Sequence, residues 1–442
     1  MAFNFLRKNN KKVKEPQTTD LKKIKTVVVA FEDECINNSG KILSEYLSEN
    51  RYLSVSYYDE AINKSFLDLQ SRNFFDFIDT GKSILKRTNA DIIIWGYREK
   101  DKIRISFQTY SQYDMQKTFD FSILNSLYLP LSYFQERKLE KTMENLIFAA
   151  ILTAINDSEY VSLLKQTVQQ INSSSPPNDL SIKCMPYILN LLALTYFNSV
   201  VDDLNVNNMK VVVSIFKNAL DYNKKEIQSV LNGVIYTNLG QVYQQAAENL
   251  KNNKYNNCKK AIDFYTLAQK YYNRHTYPYD FGNTVYKLSN LYFDYWKYTS
   301  DIQSLRNAVF YLREAQKVFT KIMFPKIWAK IQKKLGLYLS MMAVFSKNDE
   351  IARIAIENYK NYQTIYNAEK FPVEWANAQE NIGNIYFECA KIYKNEEYFE
   401  EAIKYFTEAA DVYQQKQLSD EFNRISVCID KSDKYIANLY AN

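Results

Sequence analysis

Pro372–Tyr413 reads PVEWANAQENIGNIYFECAKIYKNEEYFEEAIKYFTEAADVY. In its second half, Ala402 is followed at offsets of 4, 7 and 11 by Phe406, Ala409 and Tyr413, which trace one face of an α-helix. The same cassette opens at Ala261, Ala308 and Ala355, so four copies stand 47 residues apart. The matching positions are Tyr265, Leu312 and Tyr359, then Ala268, Ala315 and Tyr362, then Tyr272, Phe319 and Tyr366. The first half of the stretch recurs with the same period: Pro278, Pro325 and Pro372 are each followed three residues later by Phe281, Trp328 and Trp375. Two helical signatures per period predict a solenoid of helix pairs, an architecture that presents an extended surface to other molecules.

The pattern extends outward. Leu192–Tyr196 lies 47 residues before Leu239–Tyr243 and predicts an earlier, degenerate repeat with a second helix near Met209–Tyr222. Gly240 and Ser289 are 49 apart, which predicts a connection two residues longer around Asn249–Asn257. Asp420–Leu439 reads as a final capping helix. The expected array is a right-handed superhelix from about 185 to 439.

Ahead of it, β-branched runs at 26–31, 53–58, 91–97 and 103–110 alternate with helical stretches at 37–50 and 65–88. The order is that of a small βαβαββ domain. The continuous apolar strands at 26–31 and 92–95 suit central positions. Helices are expected at 136–156 and 158–171. Asn172–Asp179 (NSSSPPND) is the clearest break. The expected division is therefore a basic leader (1–23), an α/β domain (24–112), a helical connector and linker (113–179), and an α-solenoid (180–442). The fold class is α + α/β.

The cassette resembles the tetratricopeptide repeat: Leu239–Gly240–Tyr243 with Ala261, Tyr265 and Ala268, and Ile382–Gly383–Tyr386 with Ala402, Phe406 and Ala409. Small residues let paired helices approach, and large ones fill the gap between repeats. The period exceeds the usual ~34 residues, which predicts a loop of about a dozen extra residues between paired helices. The phrase from Trp375 to Asn384 looks like a long-loop variant of the family found in uncharacterised bacterial proteins. Ser289 at a Gly position and Leu339 at a Tyr position depart from the pattern. Residues 24–112 resemble the small α/β domain at the start of the Tol-system propeller protein and related bacterial envelope proteins. Those relatives are exported, and their envelope role is not carried over.

Composition narrows the function. Residues 1–25 hold eight Lys or Arg and two acids, which accounts for the whole formal charge of +6. The rest is formally neutral, and no nucleic-acid partner is expected. The leader reads as a solvated segment. Phe3, Phe5 and Leu6 ahead of the basic run allow a weak membrane contact. The apolar start is too short for a secretory signal, and the run Leu146–Ile155 is too short to span a bilayer. Five scattered cysteines, Cys35, Cys184, Cys258, Cys389 and Cys428, read as free thiols of a reducing compartment. A cytoplasmic protein is expected.

Catalytic signals are weak. His275 is the single histidine and reads as a surface loop residue, so no His-based metal site can be built. Cys35–Ile42 lacks the first glycine and the hydroxyl of a phosphate loop. Glu32, Asp33 and Glu34 follow the first strand, where a divalent ion could bind, but read as a charged loop. No cofactor is expected and no enzyme. In the tetratricopeptide register Gln241, Gln244, Asn283, Tyr286, Asn290, Lys330, Lys333, Asn377, Glu380 and Asn384 face the groove. Such a surface can hydrogen-bond an extended peptide or its carboxylates. The first reading is a non-enzymatic scaffold for a protein or peptide partner, with Lys330 and Lys333 exposed at its centre. Two alternatives are a sensor binding a nucleotide or metal in the α/β domain, and a membrane-peripheral assembly factor recruited by the leader.

Overall fold

The four expected strands form, and a fifth joins them. β1 (Ile24–Val29), β2 (Leu53–Tyr58), β3 (Ile92–Glu99), β4 (Lys102–Thr109) and β5 (Leu127–Pro130) lie in the order β2-β1-β3-β4-β5. β1 runs parallel to β2 and β3, while β3–β4 and β4–β5 are antiparallel. β1 and β3 are central, which is why their apolar runs are unbroken. The expectation for the connector missed β5. Its four residues end in a proline and carry no strand alternation. The open edge of β4 makes them a strand, pairing Ile103 with Leu129 and Ile105 with Leu127. Pro130 is tolerated because an edge position needs no further N–H. The computed structural model describes residues 21–31, 38–59, 71–110, 121–122, 124–174, 180–224, 229–250 and 253–440.

Helices α1 (Ser39–Ser48) and α2 (Ser71–Thr88) belong to the sheet region. A short α3 (Ser132–Gln135) leads to α4 (Lys141–Ile155), which packs on β4. α4 is the long apolar run of the sequence, buried almost all round. Among the described residues no helix is long and apolar enough to cross a membrane. α5 (Val161–Ser173) and α6 (Met185–Val200) follow. The expected leader and the Glu32–Cys35 segment lie outside the described residues, apart from 21–23.

From α6 onward every element is helical: α7 (Val206–Tyr222), α8 (Val230–Asn249), α9 (Lys254–Gln269), α10 (Pro278–Thr299), α11 (Ile302–Gln316), α12 (Pro325–Ser346), α13 (Asp349–Gln363), α14 (Pro372–Tyr393), α15 (Glu396–Gln415) and α16 (Ser419–Tyr440). Neighbours pack as pairs, α6 with α7, α8 with α9, α12 with α13, and α14 with α15. The cassette explains the pairing. Ala261, Ala308, Ala355 and Ala402 are all 0% exposed. A Cβ on Gly336 would come within 2.7 Å of the Tyr359 ring, and one on Gly383 within 2.6 Å of the Phe406 ring. Ser289 takes the glycine place in α10 because its Oγ donates to the Ala308 carbonyl at 2.7 Å. Enlarging Ala308 to leucine should overpack the pair and cost about 1–3 kcal/mol, read as a lower urea midpoint.

The expected long loop within a pair is not there. Two residues separate α12 from α13 and α14 from α15, whereas eight separate α11 from α12 and α13 from α14. The 47-residue period is taken up by first helices of 22 residues and by the connections between pairs. α8 and α9 are joined by four residues, so this connection is two residues longer, as the spacing predicts.

The chain divides into two compact units, Met1–Thr284 and Val285–Asn442, with the division within α10. Residues 172–173 are the end of α5, and 175–179 lie outside the described residues. The physical reason is a polar knot. Asn125, just before β5, accepts at Oδ1 from Asn190 Nδ2 of α6 (3.0 Å) and from Asn238 Nδ2 of α8 (2.9 Å). Asn238 also donates to Asn190 Oδ1 at 2.9 Å. Beside it the Tyr128 and Tyr187 rings lie 4.1 Å apart. The sheet and the first helix pairs thus share one core.

Candidate functional site

The first helices do not leave the expected polar residues uniformly open. In the first unit Gln241 is buried, Asn283 is half-buried, and Gln244 is half-buried, accepting from Tyr265 Oη at 3.2 Å. In the second unit Tyr286 is buried, and half-buried Asn290 accepts from Lys334 Nζ at 2.8 Å and Tyr338 Oη at 3.3 Å. Glu380 is buried. Its carboxylate takes two 2.9 Å hydrogen bonds from Arg424 of α16 and one of 2.9 Å from Tyr413. Asn377 is half-buried and Asn384 is exposed.

Lys330 and Lys333 are half-buried, which corrects the expectation that both are exposed. Lys333 Nζ lies 5.5 Å from the Tyr362 ring. Burial lowers its pKa, and Glu374 partly opposes the shift. Lys334, which the sequence reading passed over, is pushed down to about 8 by burial. Helix α12 packs against its own partner α13 and against α14 of the next pair, so several of its polar groups are used between helices. A Lys333→Glu change would place a carboxylate in a half-buried site near Glu374, so Lys333→Gln is the cleaner substitution.

The remaining sequence candidates are dispersed. His275 is exposed, its backbone N–H donating to Asn273 Oδ1 at 2.7 Å. Trp95 is buried. Cys184, Cys258 and Cys389 are buried and form no disulfide, and burial pushes Cys184 and Cys389 up to about 11. Among the described residues no group of three His, Cys, Asp or Glu side chains is placed to hold a metal ion.

A cleft of about 660 Å³ lies elsewhere, between α7, the end of α8 and the start of α9. Asn205 fixes the start of α7, its side chain accepting from the Asn207 and Asn208 N–H groups at 3.0 Å each. Met209 and Val213, one turn apart, are buried and line the cleft with Val206 and Leu250. Lys210, Ser214 and Lys217 line it at offsets of 4 and 7 along α7. From α8 comes Tyr243, its ring stacked on Phe264 at 5.3 Å. α9 adds Asn257 and Lys260, with Lys260 Nζ 5.2 Å from the Tyr243 ring. Among the described residues the lining holds three lysines and no acid. Ion pairs in this unit use Lys138, Lys141, Lys165 and Lys224 instead. The sequence reading missed this site. Its signal was the seven-residue spacing of Lys210 and Lys217 on one predicted helix.

No protein-family model matches the chain, and no curated protein matches it. It is similar to the crystal structure of BtubC (BKLC) from P. vanneervenii, at 14% identity and a TM-score of 0.33, over 69% of this chain and 94% of that chain.

Proposed function

We propose that the chain is a non-enzymatic scaffold that holds a polypeptide partner on a tetratricopeptide-like solenoid of helix pairs. The observation that supports it is the repetition: the same small-residue and aromatic interlock recurs at Gly240–Tyr265, Gly336–Tyr359 and Gly383–Phe406. Stacked pairs of this kind build a long surface out of few contacts per repeat. The sheet supplies a second contact. Free thiols suit a reducing, cytoplasmic setting.

Site-specific photo-crosslinking in the full chain tests the reading. A photoreactive residue at Asn384, at Lys330 or in the cleft at Lys217 should give covalent polypeptide adducts in cells. Adducts forming only from exposed Tyr110 of the sheet region, with none from the helical positions, would overturn it.

A further inference from the structure

The α7–α8–α9 cleft differs from the first-helix faces in how its charge is deployed. Lys210 and Lys217 are exposed and stand two turns apart on α7, and exposed Lys260 stands on α9. The floor, by contrast, is apolar: Met209, Val213 and Tyr243 are each at most 9% exposed. Asn253, the N-cap residue of α9 in a left-handed conformation (φ 72) with no side-chain cap, lines the cleft, which places the positive end of that helix beside it. The volume lies within the ~300–1,000 Å³ range of ligand clefts.

We propose that this cleft binds an acidic polypeptide segment whose carboxylates are interspersed with apolar side chains. The proposal rests on reading the chain as a scaffold for polypeptides. Three ammonium groups, with no acid among the described lining residues, favour carboxylates, to which charge-assisted hydrogen bonds are strongest. The methionine, valine and tyrosine floor favours apolar side chains over a bare inorganic anion. Exposed Asn253 offers an amide group that matches a peptide backbone in both donor and acceptor, while the Nδ2 groups of Asn249 and Asn257 already donate to the Val201 and Ala246 carbonyls. A nucleic acid fits less well. No arginine is among the described lining residues, and the Tyr243 ring already lies against Phe264 and Lys260, leaving no open face on that ring for a base.

The test uses the full chain and a fluorescein-labelled peptide alternating Glu and Leu, followed by anisotropy. The peptide should bind, and more weakly as salt is raised. Lys210→Glu with Lys217→Glu and Lys260→Glu should weaken binding about tenfold or more, since like charges then face each other. The corresponding triple change to methionine keeps the apolar stems. It should also lose binding while its melting temperature stays at the wild-type value, which separates charge from folding. A Gln/Leu peptide binding as tightly as the Glu/Leu peptide would overturn the proposal. So would wild-type affinity in both triple variants, or tighter binding of a single-stranded oligothymidylate. If the variants bind unchanged while cross-links persist at Asn384, the cleft assignment falls and the scaffold reading stands.

Discussion

Truncating Phe406 to alanine should destabilise the C-terminal unit by about 3–5 kcal/mol. Phe406 is 0% exposed and belongs to a core cluster with Ala376, Ala402, Ala409, Tyr413 and Ile425. Its ring lies against Gly383, where even a Cβ would fall within 2.6 Å. The loss therefore combines the transfer of an aromatic ring with a cavity that the rigid α14–α15 pair cannot close. Amide hydrogen exchange should speed up across both helices and spread to α16, which packs on α15. Adding Gly383→Leu should recover part of the stability, because the new side chain fills the space from the opposite wall. A cost near zero for Phe406→Ala would mean that the cassette is not what holds the pair together.

The second large effect is expected at Asn125. Replacing it with alanine removes the acceptor shared by Asn190 and Asn238, both buried. Each buried amide left without that partner costs roughly 1–3 kcal/mol. Asn238 retains its bond to Asn190 Oδ1, so the Asn190 amide carries most of the penalty. Exchange should rise together in β5, α6 and α8, since all three meet at this knot. A rise confined to the strand would show that the knot does not couple sheet and helices. The same geometry predicts that a fragment beginning at residue 180 behaves poorly. It would uncover Tyr187, Asn190 and Asn238, which the connector ahead of β5 and β5 itself normally cover. Experiments on partners therefore belong on the full chain.

The site was less legible than the fold. Lys330, Lys333 and Glu380 were picked by helical register, which says which way a side chain leaves its helix. Register does not say whether another helix arrives there. Arg424, on the last helix, reaches back 44 residues to take Glu380, and Tyr362 lies over Lys333. The cleft was hidden for the same reason. Lys210, Lys217 and Lys260 come from two helices separated by a third, and only their meeting makes a basic wall over an apolar floor.

By itself, the sequence determined the helix pairs and their 47-residue spacing. The buried alanines, the glycine opposite each large ring and the four main strands were equally readable. These are short-range consequences of side-chain size and periodicity, written within one or two turns of chain. Tertiary structure alone decided the rest. β5 is a strand because β4 had an open edge, and the 47-residue period lengthens helices instead of opening a loop within each pair. The sheet and the first helix pairs meet where three asparagines distant in sequence, Asn125, Asn190 and Asn238, hydrogen-bond to one another in the buried interior, so that losing one partner is costly.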